Sequence, residues 1–349
     1  MNAPEMLSRL RTPQADGLVL QLKTLTPLYT GGIGQLGDQV HPSNLLGGIR
    51  QMSCLVARTL GDDGFERAVW GNAGTGQAKA EAKQVALRWE TAGLEAVKLP
   101  EIVKLPKATG GDSRWYFNSA FEGQLGLQIS RRGIADAHWQ LLTLGLAIQL
   151  RHGSFGAKDQ FGLGVLALAE GTRRFAVPLD TASDLPKVVP ATPGQLNLLR
   201  HAFGRLRFRI APGQRPILNR STALNLALAT RATLRNALRA RPDASGTEQA
   251  RLTVLRHQML GKLNQFGSAV NVSAAYATES GVEVRLAVAL KPEVAAERSE
   301  VMKAFAAAAV NIDAMIERIG YRVDGKIDWE FGGAHLSTRA AWLNKLAGV

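Results

Sequence analysis

Two stretches of this chain repeat one alternation of apolar periods, and that repetition limits the folds open to it. In the first, apolar residues alternate along residues 19–29 and then recur at helical spacing at Leu45, Ile49, Met52, Val56 and Leu60. Ser43 is the expected N-cap of that helix and Gly61 its expected stop. Val85, Leu87 and Trp89 alternate again, as do Leu125, Leu127 and Ile129. An amphipathic helix is predicted over residues 135–151 and a last strand over 164–169. The order β-α-β-β-α-β is the ferredoxin-like pattern.

Pro178, Pro186, Pro190 and Pro193 mark residues 176–198 as a linker. Beyond it the order returns. Residues 205–210 read as a strand, and 218–240 and 248–264 as helices. Residues 270–276 and 282–290 form a predicted hairpin around Glu279-Ser280-Gly281. A helix is expected from Pro292 to Gly320, and strands 321–323 and 327–331 are expected to close the unit around an Asp324-Gly325 turn. The fold class is therefore α+β, with two ferredoxin-like domains in tandem. The expected division is residues 1–175, a linker over 176–198, and a basic domain over 199–349.

The composition supports this reading. At 46% hydrophobic over 349 residues, the chain can fill two cores. The longest apolar run, from Leu141 to Leu150, is too short to span a bilayer. Residues 1–12 lack a hydrophobic signal segment. The single cysteine, Cys54, rules out an internal disulfide and fits a reducing compartment, so a cytoplasmic location is expected. No histidine has a metal-ligand neighbour at the usual spacing, and neither a metal nor a cofactor is expected. The net charge of +13 is concentrated, because residues 199–290 hold 14 basic residues against 4 acidic ones, and nearly all the basic ones are arginine. Such a concentration suits a polyanionic partner, since the guanidinium fork matches phosphate oxygens.

Gly32 to Gly37 spells G-x-G-x-x-G after a strand. Residues 38–42 separate it from the helix that a dinucleotide site would need, and the surrounding order is not a βαβ repeat. Asp38 in that loop is the one candidate acid for metal-assisted RNA cleavage, although a lone loop aspartate is usually solvated. The sharper feature runs from His152 to Gly164, between a long helix and a strand. Gly156 and Gly162 permit close backbone approach, Lys158 supplies a point charge, and Phe155 and Phe161 supply stacking faces. The same glycines and phenylalanines also suit a tight turn with a buried core. In the second unit Arg205, Arg207 and Arg209 share one strand face, and Arg231, Arg235 and Arg239 share one helix face. Either row is a candidate phosphate contact. No RNP1-type aromatic signature accompanies them.

Four motifs carry a family resemblance. A strand ends in Thr26-Pro27-Leu28 before Gly31 and Gly32. Pro42-Ser43 opens a helix that continues through Gly47 to Arg50. Glu66 precedes Trp70-Gly71, and Gly156-Ala157-Lys158 leads to Phe161-Gly162-Leu163-Gly164. Together they resemble the RAMP superfamily of CRISPR effector subunits, most closely the family of the first subunit of the type III-B (Cmr) complex. After the helix-one arginine, where that family often carries aromatics, this chain has Gln51-Met52-Ser53.

The resemblance implies a non-enzymatic RNA-binding subunit of a hetero-oligomeric ribonucleoprotein, without a cofactor and away from membranes. It would hold guide RNA and target RNA beside other RAMP-type subunits and assist target capture in antiviral defence. Arg50, Lys158 and Phe161 become the expected contacts, with the backbone of Gly31, Gly32, Gly156 and Gly162 shaping the phosphate path. His152 is expected either to touch RNA or to serve structurally.

Overall fold

The computed structural model describes residues 17–31, 39–74, 80–100, 119–157, 162–170, 175–181, 197–213, 218–239, 242–261, 267–291, 294–333 and 338–349. Several expectations lie outside them: the glycine loop with Gly32 and Asp38, the turn residues Lys158 and Phe161, and most of the linker.

In the first unit β1 (Gly17–Thr24) turns Leu20 and Leu22 inward. Helix α1 (Pro42–Thr59) starts with Pro42 in its first turn, where a missing N–H breaks no helical bond. The cap position falls on His41 and not on Ser43, and no side chain caps it. After the short α2 (Phe65–Trp70) come β2 (Val85–Glu90), β3 (Leu94–Lys98) and the long β4 (Ser119–Arg131). Helix α3 (Asp136–His152) is buried on all sides from Leu141 to Leu150, and β5 (Leu166–Leu168) closes the unit. An all-round apolar helix must be covered on more than one face.

The second unit runs β6 (His201–Ile210), α4 (Arg220–Ala237) and α5 (Gly246–Leu260). It continues with β7 (Val270–Val272), β8 (Tyr276–Thr278) and β9 (Gly281–Ala289). Asn219 and Thr222 form a reciprocal cap on α4, and Ser245 caps α5. The helix expected from Pro292 to Gly320 is broken. It comprises α6 (Arg298–Ala307), a 3-10 turn over Ala308–Asn311, and α7 (Ile312–Arg318). The two expected final strands are one, β10 (Val323–Gly332). Gly325, at φ +80°, lies where the pairing register with β6 shifts between Asp324 and Asp328.

Both sheets are antiparallel and repeat one order. The first is β2-β4-β1-β5, with β3 also on β4, and the second is β10-β6-β9-β7, with β8 also on β9. In each, the closing strand lies beside the opening strand, which in turn lies beside the third. The duplication anticipated from element order therefore extends to strand pairing.

The halves are interlocked. Helix α8 (Arg339–Ala347), which periodicity did not reveal, follows β10 but packs Trp342, Leu343 and Leu346 into the core of the first unit, against α3. It is pinned there by Asn344, which exchanges hydrogen bonds with the backbone of Leu179, and by Arg339, which donates to the Thr59 carbonyl. In return Tyr29, Leu99, Ala120 and Leu163 belong to the second core. No helix among the described residues is long and apolar enough to cross a membrane.

Candidate nucleic-acid interface

The two glycine-bearing segments of the first unit meet the second unit at one place. Thr30 holds the chain leading into α1: its hydroxyl accepts from the His41 amide at 2.8 Å and donates to the Gln39 carbonyl at 3.1 Å. Its own carbonyl accepts from the Asn44 side chain. Gly31 beside it has φ +83°.

The turn after α3 is held as firmly. Phe155 N donates to the Gly164 carbonyl at 2.8 Å, Gly164 N to the Pro27 carbonyl at 2.9 Å, and Ala157 N to the Tyr29 carbonyl at 2.7 Å. Gly156, Gly162 and Gly164 all have positive φ. A Cβ at Gly156 would strike the Tyr29 carbonyl, and one at Gly162 would strike the backbone of Ser273 and Ala274 in the second unit. The Gly162 carbonyl accepts from Ala274 N at 2.9 Å. These glycines thus serve close protein backbone contacts. Phe155 is 1% exposed in the core and presents no face for stacking, contrary to expectation.

His152 is likewise turned inward. Its Nε2 donates to the Leu346 carbonyl at 3.0 Å, and its ring lies 4.8 Å from that of Phe203. Burial, with Arg205 nearby, pushes its pKa down to about 3, so the ring is neutral in ordinary buffers. It bridges α3, β6 and α8, and the structural role is the one observed.

Between α1, the turn and the second sheet lies a cavity of about 370 Å³. Asn44, Gln51, Gln149, Ser154, His201 and Asn271 give it polar walls, and among the described residues no charged side chain lines it. The Nδ1 of His201 donates to the Asn197 carbonyl at 3.0 Å, and burial keeps the ring neutral. Sequence reading missed His201, Gln149 and Asn271, because nothing local marks residues that meet only across a domain junction.

The arginine rows are arranged differently from the expectation of a free basic face. In β6 Arg205 pairs with Glu283. Arg207 reaches Glu283 at 2.9 Å, Asp328 at 3.0 Å and Glu330 at 3.4 Å, and Arg209 donates to the Ser280 carbonyl at 3.2 Å. Burial pushes the Glu283 carboxyl up, but the Tyr276 hydroxyl and the guanidinium groups of Arg205, Arg207 and Arg285 outweigh it and hold the carboxyl below its usual range. Arg205 also donates to the Arg151 carbonyl at 2.8 Å, and buried Arg285 donates to the Leu150 carbonyl at 2.6 Å. Two cations of the second sheet therefore close the C-terminal end of α3, satisfying carbonyls that have no helical partner.

Arg50 makes a two-nitrogen contact with Glu66, at 2.9 and 3.2 Å, and Arg58 shares that carboxylate at 2.6 Å. In α4, Arg231 donates to the carbonyls of Leu260 at 2.6 Å and Val270 at 3.2 Å, whereas Arg235 and Arg239 are exposed. The predicted residues are thus distributed over a glycine-lined cleft, a neutralised arginine interface and a helix end.

No family model matches the chain, and no curated protein matches it in sequence. Solved structures do. The chain is similar to Cmr1 from Pyrococcus furiosus in its apo form, at 10% identity over 78% of this chain and 87% of that one, with a TM-score of 0.40. Its structural neighbours are Cmr1 and type III-B Cmr complexes. A chain of the type III-B Cmr-β complex bound to cognate target RNA aligns at 11% identity over 83% of this chain and 98% of that one, with a TM-score of 0.47. A chain of a type IV-B CRISPR complex aligns at 12% identity over 47% of this chain and 95% of that one, with a TM-score of 0.31.

Proposed function

We propose that the chain is an RNA-binding subunit of a cytoplasmic, Cmr-like type III CRISPR effector. In this role it contacts guide RNA or the guide–target duplex, assists target capture in antiviral defence, and assembles with other RAMP-type subunits. It binds and positions RNA and breaks no bond.

The observation that carries this reading is the convergence of the family-like segments on one cleft. The start of α1 and the turn after α3 both line the junction with the second unit. Ala157 and Gly162, which flank Lys158 and Phe161 in sequence, are each tied to other backbone there. Amide, hydroxyl and imidazole groups around the cavity suit the bases and sugars of RNA, and the net charge of +13 suits its phosphates.

The test is filter binding of a guide-like RNA at two salt concentrations, with the wild-type chain and the Lys158→Ala/Phe161→Ala variant. Wild-type affinity is expected to fall as salt rises, and the double variant is expected to bind more weakly while keeping its fold. Absence of salt-dependent affinity, alone or with partner subunits, would sink the reading. Equal binding by the double variant would reduce the turn to scaffolding.

A further inference from the structure

Buried side chains at the junction between the two units find backbone partners: Asn344 bonds the Leu179 backbone, and Arg285 the Leu150 carbonyl. His201, 9% exposed, is matched at one nitrogen only. The Asn197 carbonyl can only accept, so Nδ1 carries the ring proton, and the neutral ring leaves Nε2 as an acceptor. Among the described residues no donor reaches Nε2, and His201 lines the cavity of about 370 Å³.

The rest of the wall defines what that acceptor would meet. Asn44, Gly47 and Gln51 lie at helical spacing on one exposed face of α1 and form the rim. Among the described residues, the Gln51 amide and the Ser154 hydroxyl are also without partners. Met52 and Phe203 are buried in the wall, and the Phe203 ring stacks with that of His201, centroids 6.2 Å apart. A phosphate or carboxylate inside would lack a counter-charge among the described residues. Water would satisfy the polar atoms but leave the apolar wall wet. An uncharged, flat ligand with an N–H edge and an apolar face answers both. The volume lies at the small end of ligand sites, which span roughly 300–1,000 Å³.

We infer that this cavity takes one unpaired nucleobase, swung out of an RNA strand, which donates an N–H to Nε2 of His201 and lays a face against Phe203 and Met52. This rests on the RNA-binding reading and names what the cleft reads. The base must have a free Watson–Crick edge, since in a duplex that N–H is already engaged.

The test compares binding of two short homopolymers to the full chain at one salt concentration. One is oligouridine, whose only base N–H is at N3. The other is the same strand built from N3-methyluridine, which keeps the charge and the ring but offers no donor. Every position is alike, so the register of the strand does not matter. Wild type is expected to bind oligouridine about tenfold more tightly, the cost of leaving one buried acceptor unmatched. Gly47→Leu adds a side chain where nothing lies within 4 Å of a new Cβ, so it narrows the cavity without a clash. His201→Phe removes the acceptor. Both variants are expected to bind the two strands alike. Should His201→Phe fold poorly, Gly47→Leu, at an exposed helical position, carries the test. Equal binding of the two strands by wild type overturns the inference and leaves the RNA-binding reading standing, as does discrimination that survives in Gly47→Leu. Free uridine is expected to compete only at concentrations far above the strand's. Competition at equal concentration makes a free nucleoside the ligand and overturns the RNA source. A wild-type chain that binds neither strand removes both readings.

Discussion

Glu283 is the residue on which the arginine-bearing face of the second sheet, turned toward the end of α3, depends. It is 7% exposed and faces Arg205, Arg207, Arg285 and the Tyr276 hydroxyl. Glu283→Gln leaves buried guanidinium charge uncompensated and is expected to cost about 3–5 kcal/mol in denaturant unfolding. Its carboxyl is held below the usual range, so the stability it lends is present above about pH 4.5 and lost as pH falls further. His152 acts earlier and with the same sign. Unfolded, it takes a proton near pH 6.5, whereas folded it resists protonation down to about pH 3. Stability therefore falls from about pH 6.5 downward, by about 2 kcal/mol at pH 5, and His152→Gln is expected to flatten that limb in pH-dependent melting. The alternation of Arg205, Arg207 and Arg209 was legible in the sequence, but their neutralisation was not. Glu283, Asp328 and Glu330 approach only through strand pairing, and two of them lie beyond residue 290, outside the arginine-rich stretch. Phe155 was misread for a related reason: a phenylalanine between glycines suits a stacking face or a core equally well, and burial alone decides.

At the scale of elements, glycines divide by what surrounds them. Gly164 has φ +84°, and a Cβ there would run into the Phe155 backbone, so Gly164→Ala is expected to cost about 2–3 kcal/mol. Gly47 sits inside α1 with nothing within 4 Å of an added Cβ. Gly47→Ala is expected to gain about 0.5–1 kcal/mol, and paired urea titrations check both. Strongly periodic segments such as α1, α3, α4 and β6 were readable to within a few residues. The exceptions have local causes. The Ala-rich run at 304–309 supports a helical pattern without revealing the 3-10 turn that splits α6 from α7. The Asp324-Gly325 pair signals a turn equally well whether the chain reverses or only bulges.

At the scale of the molecule, the two units share both cores and helix ends. Leu343 of α8 is fully buried among first-unit residues. Leu343→Ala is expected to cost about 2–5 kcal/mol and to lower hydrogen-exchange protection along α3, far away in sequence. The tandem α+β plan was legible because each unit obeys its own periodicity. The return of α8 was not, since a nine-residue amphipathic helix says nothing about which of two sheets it will cover.

That return gives the chain a timetable. The surface of α3 that α8 covers is made nearly two hundred residues before its cover leaves the ribosome. At ordinary elongation rates the interval is about 10–40 s. During it the first half carries an unroofed apolar helix, so the nascent chain is most exposed to chaperones, and to misassembly with other nascent copies, before its last helix emerges.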